Sequence, residues 1–247
     1  MIGLGTIVNA AAIIGGATLG ILIKGGLPKR FEDIIMSSIA LAVLFIGIGG
    51  ALVGLLYIGN GALSMQYIML MVLSMVLGGI FGELLNIEAK LDSLGEAIKN
   101  KLPEKLAGNS FVEGFVTASM LFCVGAMAIV GALEDGLSGD RTILFTKSIL
   151  DGMAALIFAA SLGFGVAFSA LPLFVYQGGI TLLAQFLRPF LSDALIGQMS
   201  FVGSILIFAI GINMLMGKRI KVGNLLPAIF FPILFAILRN VFPALPF

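Results

Sequence analysis

Histidine and tryptophan are absent from the 247 residues, and cysteine occurs once, as Cys123. Without histidine the commonest general base is gone, and with it zinc-type catalysis and Ser-His or Cys-His nucleophilic catalysis. A single cysteine builds neither a disulfide framework nor a cysteine metal site within one chain. Without tryptophan, an aromatic belt at a membrane interface rests on three Tyr and on Phe, a weak anchorage. Charge is scarce as well: 11% of residues are charged, against about 25% in a soluble domain. The net charge of +1 gives no steering toward nucleic acid, so no nucleic-acid partner is expected. Walker A, dinucleotide-loop and EF-hand motifs are missing, which argues against transport driven by this chain's own ATP hydrolysis and implies no cofactor or metal.

Apolar residues make up the remainder. They are 60% of the chain, and the mean hydropathy is +1.16. A soluble fold of this composition lacks the polar residues for a wettable surface, whereas a bilayer removes that demand. Strands alternating apolar and polar residues are missing, which excludes a lipid-facing β-barrel pattern. Several uninterrupted apolar runs have instead the roughly 20-residue length that crosses a hydrocarbon core as a helix. The fold class is therefore all-α: a polytopic transmembrane bundle with about eight (seven or eight) helices. The expected spans are 3–23, 34–57, 66–85, 111–133, 143–170, 173–187, 195–216 and 224–238. Spans 5 and 6 divide at Leu171-Pro172, because proline disfavours helix at the preceding residue. Span 6 is short enough to be re-entrant. Pro227 and Pro232 kink or partly unwind span 8. Met1 to Val8 carry no Lys or Arg, so the first run reads as a retained helix and not as a secretory signal.

Between spans 3 and 4, Ile87, Leu91, Leu94 and Ile98 recur at helical spacing among Lys and Glu. That pattern suits an amphipathic helix on the cytoplasmic interface, or equally a soluble connector. Lysine and arginine fix the orientation. One set of loops carries Lys24, Lys29, Arg30, Lys90, Lys99, Lys101, Lys105, Lys218, Arg219 and Lys221. The opposite set carries Arg141, Lys147, Arg188 and Arg239. The positive-inside rule then puts Gly26, Gly95 and Met216-Gly217 in the cytoplasm. Gly61, Gly139 and both termini fall outside, in a multi-pass membrane protein.

The halves of the chain resemble each other. Gly15-Gly16-Ala17-Thr18-Leu19 matches Gly178-Gly179-Ile180-Thr181-Leu182, and Pro28 and Pro189 follow. Glu32-Asp33 aligns with Ser192-Asp193. Leu44 to Gly49 resembles Leu206 to Gly211. Spans 1–3 thus pair with spans 6–8. The offset of five spans makes the repeat inverted, a common plan for secondary transporters with a site near the midplane. The expected organisation is one transmembrane domain, 1–247. Within it lie a first repeat 1–85, a connector 86–110, central helices 111–170 and a second repeat 171–247.

Several motifs carry a family resemblance. They are Gly5-Thr6-Ile7-Val8-Asn9, Gly78-Gly79 to Gly82-Glu83, Leu121-Phe122-Cys123-Val124-Gly125-Ala126-Met127 and Asp135-Gly136-Leu137-Ser138-Gly139-Asp140. Others are the stretch Lys147 to Asp151, Phe168-Ser169-Ala170, Tyr176-Gln177-Gly178 and Asn224-Leu225-Leu226-Pro227-Ala228. Together they are similar to the domain of unknown function 554 family, the YqgA-like bacterial inner-membrane proteins, over essentially the whole chain. The resemblance implies a polytopic prokaryotic membrane protein and brings no substrate or reaction with it.

Polar groups inside spans are costly and often mark a pathway. Asp151 leads: its carboxylate suits cation binding or proton carriage, unless it only pairs with Lys147 one turn away. Asn9, Gln177 and Asn213 are uncharged candidates for solute coordination, with interhelical bonding as the plainer role. Glu83 and Glu113 are secondary candidates near helix ends, where snorkelling or helix electrostatics also accounts for them. Glu134, Asp135 and Asp140 form an acidic external loop with Gly136 and Gly139, which reads as a solvated turn, with a cation vestibule as the alternative. The partners expected are the lipid bilayer and a small-molecule or ion substrate, with a homo-oligomer compatible. The leading function is a secondary transporter or exporter. An oligomeric channel-like pore and a non-transporting structural or regulatory membrane protein are the alternatives, and no enzyme is expected.

Overall fold

The computed structural model describes residues 2–24, 29–59, 61–103, 108–124, 126–187, 189 and 191–241. Gly26, Pro28, Lys105 and Arg188, which enter the orientation and repeat arguments, lie outside them. In chain order the elements are α1 (Leu4–Lys24), α2 (Lys29–Leu55), β1 (Leu56–Gly59), β2 (Ala62–Met65), α3 (Ile68–Leu85) and α4 (Ile87–Lys99). They continue with α5 (Phe111–Cys123), α6 (Ala126–Leu137), α7 (Thr142–Leu162), α8 (Gly165–Phe168), α9 (Ala170–Leu182) and α10 (Ala184–Leu187). Then follow α11 (Asp193–Met216), α12 (Val222–Leu225), a 3-10 turn at Leu226–Phe230, and α13 (Phe231–Val241). Among the described residues the elements are helical apart from the β1–β2 hairpin.

Among the described residues six helices are long and apolar enough to cross a membrane, or seven if α5 and α6 form one bent span. The expected eighth, near 224–238, is a shorter apolar stretch broken by the 3-10 turn, where Pro227 sits at the start. Large side chains stand exposed along the spans, among them Leu22, Phe45, Val53, Leu84 and Leu182. In a bilayer such faces meet lipid at no cost.

Three local features depart from expectation. The run 111–133 is not one helix: Val124 is extended, and α6 leaves α5 at 61°. A β-branched valine followed by Gly125, both poor helix formers, is the sequence signal. The break between spans 5 and 6 falls at Gly163, not at Leu171-Pro172, because Gly163 closes α7 with φ +79. Pro172 lies in the first turn of α9, where its missing N–H has no helical partner to lose. The hairpin was not expected. Its Gly59↔Ala62 pairing leaves the two positions of Asn60-Gly61, a strong turn signal, and Gly61 has φ +77.

Contacts divide the chain into two compact units, Met1–Ile39 with Lys90–Phe190 and Ala40–Ala89 with Leu191–Phe247. In the first, α1 and α7 run parallel and close. A Cβ at Gly16 or Gly20 would run into the backbone carbonyl oxygens of Gly152 or Leu156. Phe111, Phe115, Phe122 and Phe158 fill the core beside them, with Phe122 and Phe158 edge-to-face at 6.4 Å. Asp140 caps the start of α7: its Oδ1 accepts from the Thr142 N–H at 2.9 Å and the Thr142 hydroxyl at 2.8 Å. These bonds hold its carboxyl below the ordinary carboxylate value. Their contribution is fully present above the unfolded pKa and is lost as pH falls through the lowered folded one.

In the second unit α11 runs antiparallel to the later turns of α2, with Gly47 against Phe208 and Gly211 against Leu44. Likewise α3 meets the chain at 224–228, with Gly82 against Asn224 and Gly78 against Ala228. Asn224 joins this end of the unit. Its Nδ2 donates to Glu83 at 2.6 Å, and its Oδ1 accepts the Glu88 N–H at 2.7 Å. Lys218 and Lys221 pair with Glu88 and Glu83 at 2.8 and 2.6 Å.

The α1–α7 contact yields a paired prediction. Gly16→Ala forces two backbones apart and lowers the thermal midpoint in detergent, at a cost of about 1–3 kcal/mol. Gly15→Ala, with no neighbour within 4 Å, leaves the midpoint unchanged or raises it. A thermal series read by size-exclusion chromatography separates the two.

Candidate functional site in the first unit

The parallel register of α1 and α7 carries Asn9 to Asp151. Asp151 lies nine residues into α7, about 14 Å along its axis. It is 8% exposed and its i,i+4 partner Lys147 is 5% exposed. The Lys147 ammonium bonds Asp151 Oδ2, and it donates a second bond to the Phe122 carbonyl oxygen at 2.9 Å. That carbonyl belongs to the last turn of α5, at the break, where helix carbonyls lack intrahelical partners and the helix dipole is negative. Asn9 Nδ2 bridges two acceptors, Asp151 Oδ2 at 3.0 Å and Gln177 Oε1 at 3.2 Å. Asn9 and Gln177 are both 0% exposed. Four helices thus deliver a cation, an anion, two amides and a helix-terminal carbonyl to one place inside an apolar unit.

Three of the four leading candidates from sequence, Asn9, Asp151 and Gln177, therefore converge. Asn213 does not join them. It lies on α11 in the second unit, and its amide serves the turn that follows. Nδ2 donates to the Ile220 carbonyl at 2.7 Å, while Oδ1 accepts from the Arg219 and Ile220 N–H groups at 3.0 and 2.9 Å. Glu83 is exposed and paired with Lys221, and Glu113 is exposed in the first turn of α5, where a carboxylate complements the helix dipole.

Sequence reasoning missed three participants. Lys147 appeared as a competitor for Asp151, whereas it is the centre's cation. The Phe122 carbonyl left no signal, because backbone groups become available only where a helix breaks. Asp135 was read as part of a solvated turn, yet it is 0% exposed. Its Oδ2 accepts the Gly5 N–H at 3.1 Å, and Arg141 Nε lies 3.5 Å from Oδ1. The start of α1 has unpaired N–H groups, and a carboxylate satisfies one of them. Among the described residues no three His, Cys, Asp or Glu side chains converge as a metal site.

The family model described as "Protein of unknown function (DUF554)" matches residues 4–237. The chain belongs to this family. Within DUF554 it is similar to "Uncharacterized membrane protein YdfK" of Bacillus subtilis (strain 168), 35% identical over 228 residues, 92% of this chain and 93% of that protein. It is also similar to "Uncharacterized protein YqgA" of Escherichia coli (strain K12), 33% identical over 229 residues, with 92% and 93% covered. No solved structure gives a significant match. This DUF554 protein is thus a multi-pass helical membrane protein.

Removing one member of a buried ion pair leaves the other charge stranded, at about 3–5 kcal/mol. Lys147→Met is accordingly expected to lower the thermal midpoint sharply. Adding Asp151→Asn to it restores most of the loss, because no charge then remains. A double-mutant cycle on purified protein in detergent reads the coupling, and additive effects would show that the two charges do not depend on each other.

Proposed function

We propose that this DUF554 protein is a secondary transporter or exporter of a small solute or ion, with Asp151, Lys147, Asn9 and Gln177 as its binding and coupling centre. One observation carries the reading: a charged pair is buried within an apolar unit at the broken end of α5. Burying two charges costs several kcal/mol each, an expense a scaffold avoids with apolar residues. Broken helices whose free carbonyls face a buried polar centre are a recurring transporter device. The chemistry follows from the partners. Lys147 neutralises Asp151 when no other cation is there. A proton or metal cation arriving at Asp151 competes with Lys147, and the released ammonium changes the charge of the centre. A ligand that favours one arrangement shifts the protein toward it.

The inverted repeat belongs to the same proposal. Its proposed mates pack antiparallel within a unit: α2 with α11, α3 with the segment from 222, and α1 with α9. Ten positive residues against four support cytoplasmic loops at α4 and at 217–221, with both termini outside. In a Cys123→Ala background, a cysteine at Gly139 should react with an impermeant label in intact cells. One at Ser93 should react only after the membrane is opened, and labelling at Ser93 from outside would reverse the orientation.

A second reading, a structural staple, is favoured by the direct Lys147–Asp151 pairing and the Phe122 carbonyl on the same ammonium, and substitution separates the two. Purified protein in liposomes is screened with small solutes and inorganic ions under imposed pH or sodium gradients. Asp151→Asn keeps the size and hydrogen bonding of the side chain and removes its charge. Gradient-driven uptake is expected to fall at least tenfold in a folded Asp151→Asn protein. Undiminished, still-coupled uptake would leave Asp151 a structural residue.

A further inference from the structure

Beside the charged centre runs a line of buried polar atoms that nothing so far uses. Thr6, Asn9, Gln177 and Thr181 are 1%, 0%, 0% and 2% exposed. Four of their atoms, Thr6 Oγ1, Asn9 Oδ1, Gln177 Nε2 and Thr181 Oγ1, have no hydrogen-bond partner among the described residues. They are not scattered. Thr6 lies three residues before Asn9, and Thr181 four after Gln177, spacings that put each pair on one helix face.

The depth of each rung follows from the packing. Asp135 bonds the Gly5 N–H, while its neighbour Gly136 lies against the Thr181 carbonyl and the Ala184 methyl. Gly5 and Thr181 therefore share the level of residues 135–136. One turn in along each helix, about 6 Å, come Asn9 and Gln177, which bond each other at 3.2 Å. Asn9 then reaches Asp151. Thr6 and Thr181 thus lie at the Asp135 end, Asn9 and Gln177 come one turn in, and Asn9 joins them to Asp151.

Stranded polar atoms in a low-dielectric interior are rare, because each forfeits the bonds it had in water. A water molecule inside a protein needs two to four polar partners, and this line supplies donors and acceptors about a turn apart. We infer that ordered water occupies the α1–α9 seam and links the Asp135–Arg141 end of the first unit to Asp151. The stranded groups are hydroxyls and amides with no carboxylate among them, so the seam suits water and a proton passed along it, not a hard metal cation. This deepens the transporter reading by giving Asp151 an aqueous side. The seam itself depends only on the stranded atoms.

The test needs no substrate. Thr6→Cys, Thr181→Cys and, as a dry control, Val202→Cys are made in a Cys123→Ala background. Val202 is 0% exposed on α11, which belongs to the second unit. Membranes are transferred to deuterium oxide, and loss of the thiol S–H infrared band is followed. Thiols at positions 6 and 181 are expected to exchange at least tenfold faster than at 202. Equal rates would overturn the inference, even if Asp151 proves to couple flux. A second arm covers poor folding of the cysteine variants. Val matches the shape of Thr without its hydroxyl, so in a dry seam Thr6→Val and Thr181→Val raise the thermal midpoint. A wet seam predicts no rise. Fast exchange with no Asp151-dependent flux would leave the water in place and remove the transporter reading alone.

Discussion

The cost of keeping Lys147 and Asp151 charged inside an apolar unit governs the arrangement around them. Neither ion is tolerable there alone, so each neighbouring element contributes something to the pair. Broken α5 contributes the Phe122 carbonyl, α1 contributes Asn9, and α9 contributes Gln177 to hold Asn9 in place. Continuous helices would have spent that carbonyl on an internal hydrogen bond. The break at Val124 and the buried ammonium are thus two sides of one arrangement.

Small residues make that arrangement reachable. Gly16 and Gly20 let α1 lie against the backbone of α7, and on the same helix the Asn9 amide bonds the carboxylate at 3.0 Å. In lipid there is no hydrophobic drive between helices, so such close backbone contact, with interhelical hydrogen bonds, is what holds the first unit together. The second unit uses the same device between α2 and α11, and at one end of it Glu83, Glu88, Lys218, Lys221 and Asn224 meet.

Much of this was legible in the sequence because the bilayer simplifies the code. Apolar run length gave the helical class and most spans, and the rarity of buried polar residues singled out Asn9, Asp151 and Gln177. What stayed hidden depends on partners far along the chain. Asp135 looks like a loop acid until the start of α1 is placed beside it, and Asn213 looks like a pathway residue until its amide is seen closing the turn at 219–220. Breaks were misplaced for a local reason. Pro172 drew the boundary, although a proline in a first turn costs nothing, while Gly163 carried the positive φ.

The central claim is that the charge on Asp151 changes partner while the protein remains folded. Charge movement tests it without knowledge of the solute. Protein in liposomes adsorbed to a capacitive sensor is exposed to a step in pH, and the transient current is recorded. A transient is expected in the wild type and with the exposed Glu83→Gln, and none with Asp151→Asn. Transients of equal size in the wild type and Asp151→Asn would contradict the claim and leave the ion pair as a fixed structural element.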